Sequence, residues 1–254
     1  MIGSNMKQSD IYIYGKHAVA EAMTARPEVI TGIFFSHEFE DSEMRAKAKS
    51  LKVPVEQFAE KKMPGGLSKE VNHQGVVASL SSEAMMIPYR DFINGLSVTP
   101  NTALVVLGEV QDPHNVGAVI RSAAAFGIAG VLMPPHRQAP ITGTVVKVSA
   151  GMAFRVPLVS IGNVNTTIED LKERGFWTYG LSEEGSTSLY EEDFSKPTVF
   201  ILGNEGKGLR EKTAEACDTL VSVPMHPRAE SLNASASAAV TFSHWNRQHL
   251  DALM

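Results

Sequence analysis

From Thr102 onward the chain is a succession of short apolar runs: ALVVL at 103–107, AGVLM at 129–133, FWTYGL at 176–181, TVFIL at 198–202 and TLVSV at 219–223. All but the last are followed by a polar or Gly/Pro loop and then by a helical pattern. Apolar strands separated by helices predict a parallel sheet covered on both faces. Such a sheet presents ligands to the loops at the carboxyl ends of its strands. Three loops therefore carry the functional reading: GEVQDPHN at 108–115, GNEGKGL at 203–209 and PMHPRAESLN at 224–233.

The first part of the chain has a different rhythm. GKHAVAEAMTAR reads as a helix with Val19, Ala22 and Met23 on one face, and SEMRAKAKSL as a second helix. VITGIFF, VPVEQF and GVVASL read as strands. Residues 11–80 thus form a small α/β unit, 81–101 reads as a linker without sustained periodicity, and 102–254 holds the parallel sheet. A length of 254 residues accommodates this division. The net charge of −5 argues against an indiscriminate nucleic-acid binder but leaves room for a local basic patch. Arg45, Lys47, Lys49 and Lys52 are that candidate patch, the alternative being a solvated helix face. The one cysteine, Cys217, excludes an internal disulfide framework and a cysteine-rich metal site, and suits a reducing, cytoplasmic setting. No run approaches the roughly 18 apolar residues of a membrane span. The N-terminus has no signal-peptide pattern, and MIGSNM reads as a flexible end.

Each loop has a plain structural reading beside a chemical one. In QDPHNVGAVIRSAAAFG a single cation, Arg121, sits inside a helix of small residues. GNEGKGL is not a P-loop, because Gly208 follows Lys207, and not a G-x-G-x-x-G loop, because Glu211 stands at the third glycine position. It is as consistent with a turn as with a site. In AESLNASASAAVTF, Ser231 or Asn233 can cap the helix, which leaves the other polar residues at 231–237 unexplained. His114, His226, His244 and His249 are scattered, so no metal site is expected.

Taken in order, DPHNVGAVIRSAAAFG, ILGNEGKGL and VPMHPRAESLNASASAA closely resemble the three motifs of the SpoU/TrmH-type RNA ribose 2′-O-methyltransferases of the SPOUT superfamily. YGKHAVAEAM and NHQGVVASL resemble the small N-terminal RNA-binding domain of members that act on large-subunit ribosomal RNA. The chain departs from the pattern at Pro227, where glycine is usual, and at Ala234 and Ala236, where valines are usual.

The resemblance implies a parallel α/β domain closed by a deep trefoil knot, an N-terminal α/β RNA-binding domain and a homodimer. Val240, Phe242 and Trp245 of the last helix are the expected dimer contacts, or else they close the monomer core. It implies S-adenosylmethionine, held at Leu202, Gly203, Gly208, Val223, Met225 and Leu232, and no metal. It implies methylation of a ribose 2′-hydroxyl, foremost of a guanosine in large-subunit ribosomal RNA. Transfer RNA is the alternative substrate, and an inactive RNA-binding protein on this fold is the other. Arg121, Asn115, Glu205, Ser231 and Asn233 are the implied catalytic set, with Asn115 and Glu205 holding Arg121 and the loops. A guanidinium is always protonated, so Arg121 suits stabilisation of a developing alkoxide better than a general base.

Overall fold

The computed structural model describes residues 10–59, 62–68 and 70–253, and the N-terminal MIGSNM segment lies outside them. The chain divides into two compact units. One runs through Met86 and includes Ile141–Arg155; the other comprises Ile87–Pro140 and Val156 to the C-terminus.

The first unit opens with β1 (Asp10–Tyr14), α1 (Lys16–Ala25), β2 (Ile30–Ser36), α2 (Ser42–Ser50), β3 (Val55–Phe58), β4 (Val76–Ser81) and α3 (Ser82–Met85). Its sheet has the order β1-β4-β2-β3, with β4 antiparallel to both neighbours and β3 parallel to β2. Val19, Ala22 and Met23 of α1 are buried, as the helical spacing predicts. Asp41 caps α2 by accepting from the Met44 amide. Strand β1 has no counterpart among the expected elements.

The second unit begins with β5 (Ile87–Pro88), α4 (Tyr89–Gly95), β6 (Ala103–Leu107), α5 (Pro113–Ala125) and β7 (Gly130–Met133). The chain then contributes α6 (Gly143–Val148) to the first unit, where Lys147 lies over the Tyr14 ring and Arg155 pairs with Glu21. It returns with β8 (Leu158–Ser160), α7 (Val164–Glu173), β9 (Trp177–Leu181), β10 (Thr187–Ser188), β11 (Thr198–Leu202), α8 (Glu211–Ala216), β12 (Thr219–Ser222) and α9 (Ala234–Gln248). The eight strands lie in the order β10-β12-β9-β11-β6-β7-β8-β5, and every pairing is parallel.

All five residues of β6 and of β11 are buried, as strands covered on both faces require. Leu104, Val106, Val199 and Ile201 face one way and pack with Ile93 of α4 and Ile168 and Leu171 of α7. Phe200 faces the other way, its ring centroid 5.7 Å from that of Phe242 on α9. Phe242 and Trp245 are wholly buried, so they close the core of this chain and are not dimer contacts.

The segment 81–101, expected as a linker, is a structured part of both units. Ser81 ends β4 and caps α3, whose Met85 is wholly buried. Ile87 and Pro88 pair with Val159 and Ser160 at the sheet edge, and Ile93 enters the core. Elements of two, four and seven residues are too short to establish a period, which is why the sequence pattern does not show them.

Candidate functional site

The three loops singled out by sequence sit at the carboxyl ends of β6, β11 and β12. Strands β6 and β11 are neighbours, so their loops meet directly: the Gly108 amide donates to the Leu202 carbonyl at 2.6 Å. Strand β12 is separated from β6 by β9 and β11, roughly 14 Å at ordinary strand spacing. The segment after β12 nevertheless delivers Asn233 to the start of α5, where its Nδ2 donates to Asn115 Oδ1 at 2.9 Å.

That contact belongs to a relay of polar side chains. The Ser235 hydroxyl and amide donate to Asn233 Oδ1, at 2.6 and 2.9 Å. Asn233 donates to Asn115, and Asn115 Nδ2 donates to Glu205 Oε1 at 3.1 Å. The Glu205 carboxylate also accepts from the Gln111 and Asp112 amides, each at 3.4 Å. A chain of donors that ends on a carboxylate polarises in one direction and reinforces itself. It joins all three loops through one residue from each. Asn115 is buried, whereas Glu205 and Asn233 are exposed.

Local rules explain each position. Asp112 caps α5 by accepting from the His114 amide at 2.8 Å, and Pro113 follows where a missing N–H costs nothing. Asn233 caps α9 with its oxygen and so points its amide nitrogen at Asn115. In the middle loop the Asn204 and Gly208 backbones bond reciprocally, each at 2.9 Å. Asn204 Oδ1 accepts from the Gly206 and Lys207 amides, and Gly208 takes a left-handed φ of 65°. A Cβ on Gly203 would stand 2.3 Å from the Gly208 carbonyl carbon, so only glycine allows the loop to close.

Beside this loop lies a cavity of about 610 Å³, within the range of cofactor sites. Leu202, Gly203, Gly208, Val223, Met225 and Leu232, the six residues implied by resemblance as cofactor contacts, all line it. So do Leu181, which ends β9, the Ser182, Glu183 and Glu184 that follow it, and Ala234 and Ser237 of α9. The β9 loop has no motif; only its place at a strand's carboxyl end marks it. The Ala234 departure thus falls on the cavity wall. Asn204, which shapes the middle loop, carries no signal in the sequence pattern.

Arg121 and Ser231 stand apart from the relay. Arg121 is exposed on α5 and makes no hydrogen bond or ion pair with any described residue. Asn115 and Glu205 therefore hold the loops together, but they do not hold Arg121. Ser231 is exposed two residues before the α9 cap. Among the described residues no group of three or more His, Cys, Asp or Glu could hold a metal ion, and no helix is long and apolar enough to cross a membrane.

The expected basic patch on α2 is smaller than its sequence. The Arg45 guanidinium donates to the Phe39 and Ser36 carbonyls at 3.1 and 3.3 Å and stacks over the rings of Phe35 and Phe39. It is half-buried and fastens the turn after β2, so it is not free for a phosphate. Lys47 donates to the Thr24 hydroxyl, while Lys49 and Lys52 are exposed.

Residues 102–243 match the SpoU rRNA Methylase family, and residues 12–85 match the family described as RNA 2'-O ribose methyltransferase substrate binding. The 23S rRNA (guanosine-2'-O-)-methyltransferase RlmB of Neisseria meningitidis is 35% identical over 241 residues, covering 94% of this chain and 95% of that protein. The AdoMet-bound rRNA methyltransferase from Sinorhizobium meliloti has the same fold, with a TM-score of 0.80 at 24% identity over 94% of this chain and 87% of that one. The SpoU methyltransferase AviRb from Streptomyces viridochromogenes also shares it, with a TM-score of 0.78 at 22% identity, covering 96% of this chain and 91% of that one. With the three loops joined through Asn115, Glu205 and Asn233, and the family match spanning all of them, the chain belongs to the SpoU rRNA methylase family.

Proposed function

We propose that this protein methylates the 2′-hydroxyl of a guanosine ribose in large-subunit ribosomal RNA, using S-adenosylmethionine. The observation that carries the reading is the relay from Asn233 through Asn115 to Glu205 beside a glycine-walled cavity. The extent of the match to the Neisseria protein supports the substrate class.

The cavity fits the cofactor by its chemistry. Leu202, Leu209, Leu220, Val223, Met225 and Leu232 supply an apolar wall, and the 203–208 backbone supplies close polar contacts. When bound, S-adenosylmethionine supplies a methyl group already activated for transfer. The task left to the chain is to place a weak nucleophile and stabilise the charge that develops on it. Arg121 does this as a fixed cation: its unengaged fork grips the alkoxide and the neighbouring phosphate, and the proton leaves to solvent or a phosphate oxygen. Asn115, Glu205 and Asn233 hold the loops rigid, and Ser231 lines the approach of the ribose.

The same reading gives the carboxyl end a trefoil knot. Its support is the return of the chain from β12, past β9 and β11, to set Asn233 on Asn115. The catalytic unit works as a homodimer, with the exposed Tyr190, Leu250 and Leu253 offering apolar surface near α9. The 12–85 domain selects the RNA, with Lys47, Lys49 and Lys52 as phosphate contacts, and the reaction belongs to the cytoplasm.

The test is to incubate the protein with labelled S-adenosylmethionine and total RNA and to map the label. A 2′-O-methylguanosine in large-subunit ribosomal RNA is the expected product. Label in transfer RNA would reassign the substrate, and RNA binding without transfer would make the chain an inactive member of the fold.

A further inference from the structure

We propose that Arg137 and Arg210, held together by Glu109, grip a backbone phosphate of the RNA beside the nucleotide being methylated; this rests on the reading that RNA is the substrate. The three residues follow β7, β11 and β6, three adjacent strands, at the end of the sheet that carries the site. Glu109 Oε1 receives Arg210 Nη2 at 2.5 Å and stands 3.9 Å from Arg137 Nη1. The Arg210 and Arg137 side chains are 55% and 64% exposed, so both forks are open to a ligand while one carboxylate orients them.

Two features separate this trio from an ordinary surface ion pair. First, among the described residues only five non-glycines have positive φ, and Glu109 (74°) and Arg137 (56°) are two of them. Left-handed backbone at a non-glycine is unfavourable, and exposed ion pairs stabilise too little to account for two such residues. Second, the loops do not need the charges to stay together. Gly108 bonds to Leu202, the Val110 amide to Gln138 Oε1 at 3.0 Å, the Ala139 amide to the Val110 carbonyl at 2.9 Å, and Asn204 Nδ2 to the Glu109 carbonyl at 3.1 Å. Backbone strain in a region already tied by other bonds points to a role for the side chains that it aims.

The chemistry selects the ligand. Leu209 and Glu211 line the cofactor cavity, but Arg210 between them does not, and neither does Arg137. The pair therefore faces outside the cofactor site. Two planar forks around one anion match a phosphodiester, which accepts bidentate bonds from each. Glu109 is a positioning residue: it cancels one of the two charges, so the cluster holds loosely to nucleic acid in general and depends on a phosphate arriving at the right place.

The experiment measures binding of full-length protein to an unmodified large-subunit ribosomal RNA transcript over a series of salt concentrations, alongside methylation kinetics and cofactor affinity by calorimetry. Arg137→Gln and Arg210→Gln should each raise the RNA KM roughly tenfold, the loss expected for one charge-assisted contact, with cofactor affinity unchanged. The slope of log K against log salt should become shallower by about 0.7–0.9 for each arginine removed. Arg210→Lys should keep the wild-type slope while recovering only part of the affinity. Glu109→Gln should keep a slope at least as steep as wild type while lowering kcat/KM. A double arginine variant with the wild-type slope, or with cofactor affinity lost in step with RNA affinity, would overturn the proposal. If the wild-type protein binds the transcript without methylating it, the substrate reading fails on its own, and the slopes still decide whether the arginines grip phosphate.

Discussion

At the scale of single residues, the loops are readable because each rests on a side-chain identity that local chemistry cannot replace. Asp112 and Asn233 cap helices, and Gly203 lets two backbones touch. Arg121 is readable for the opposite reason, as a cation with no structural task in a helix of small residues. Arg121→Ala should lower kcat about 10²-fold, the loss typical of one stabilising donor, while melting temperature and cofactor affinity stay at wild-type values. Its lack of bonds to described residues makes that separation possible, and a kcat within a few-fold of wild type would assign the chemistry elsewhere. Arg121→Lys should recover little, because an ammonium lacks the planar fork. Gly203 tests a different mechanism. If a larger residue merely filled the cavity, Gly203→Ala would be tolerated. A Cβ at this position would come within 2.5 Å of the Gly208 and Leu209 backbones, so even alanine should open the loop. We expect a stability loss of about 1–3 kcal/mol by denaturant unfolding and no measurable cofactor binding by calorimetry. Asn204 is silent in the sequence because its work is done on the backbone of its own loop, which composition does not reveal.

At the scale of elements, α7, α8 and the strands beside them are fastened by a partly buried ion pair that no periodicity announces. Lys172 Nζ donates to Asp218 Oδ1 at 2.7 Å and to the Ala216 carbonyl at 3.1 Å. Asp218 Oδ2 accepts from the Thr178 amide and hydroxyl at 2.9 and 2.8 Å. Burial pushes the Asp218 carboxyl up, but the bonds from Lys172 and Thr178 outweigh it and hold it below the ordinary carboxylate value. A group depressed in the folded state stabilises fully above its unfolded pKa, near 4, and loses that contribution as pH falls. Asp218→Asn should therefore cost about 2 kcal/mol at pH 7, the range for hydrogen bonds to a charged group, and the gap to wild type should shrink as pH drops below about 4. A gap that does not change with pH would remove the charge from the explanation. Beside the ion pair, burial raises the Cys217 thiol to about 12, so at neutral pH it stays a small core side chain rather than a nucleophile. The strands at 103–107 and 198–202 are legible as unbroken apolar runs, whereas β5, β8 and β10, of two or three residues, are not. Such strands exist because a neighbour completes them, and a neighbour is not a local property of sequence.

At the scale of the whole molecule, what the sequence hides is what depends on distant pairings. Alternating strands and helices specify a parallel sheet, but not the order that sets β12 three places from β6. Nor do they show that the chain leaves the second unit at Ile141, supplies α6 to the first, and returns at Val156. This division changes how the RNA-selecting role proposed for residues 12–85 must be tested. A cut before residue 95 would remove β5 and most of α4, and any removal of the first unit would strip α6 of the sheet that buries its Val145 and Val146. Lysine substitutions in the intact chain avoid that damage. Lys47→Gln, Lys49→Gln and Lys52→Gln together should weaken RNA binding and flatten its salt dependence, with cofactor affinity unchanged. Arg45→Gln should instead lower the melting temperature, because its guanidinium serves two carbonyls and two rings. The proposed homodimer is tested through the same burial argument. Phe242 and Trp245 are spent on the core, and near α9 Tyr190, Leu250 and Leu253 are each more than half exposed. Light scattering at micromolar concentration should give twice the 27.5 kDa chain mass, and a Leu250→Glu, Leu253→Glu double variant should return the single-chain mass while keeping the wild-type circular dichroism. A double variant that stays dimeric would move the interface away from this end of α9, and a wild-type mass of one chain would mean that each chain builds its site alone.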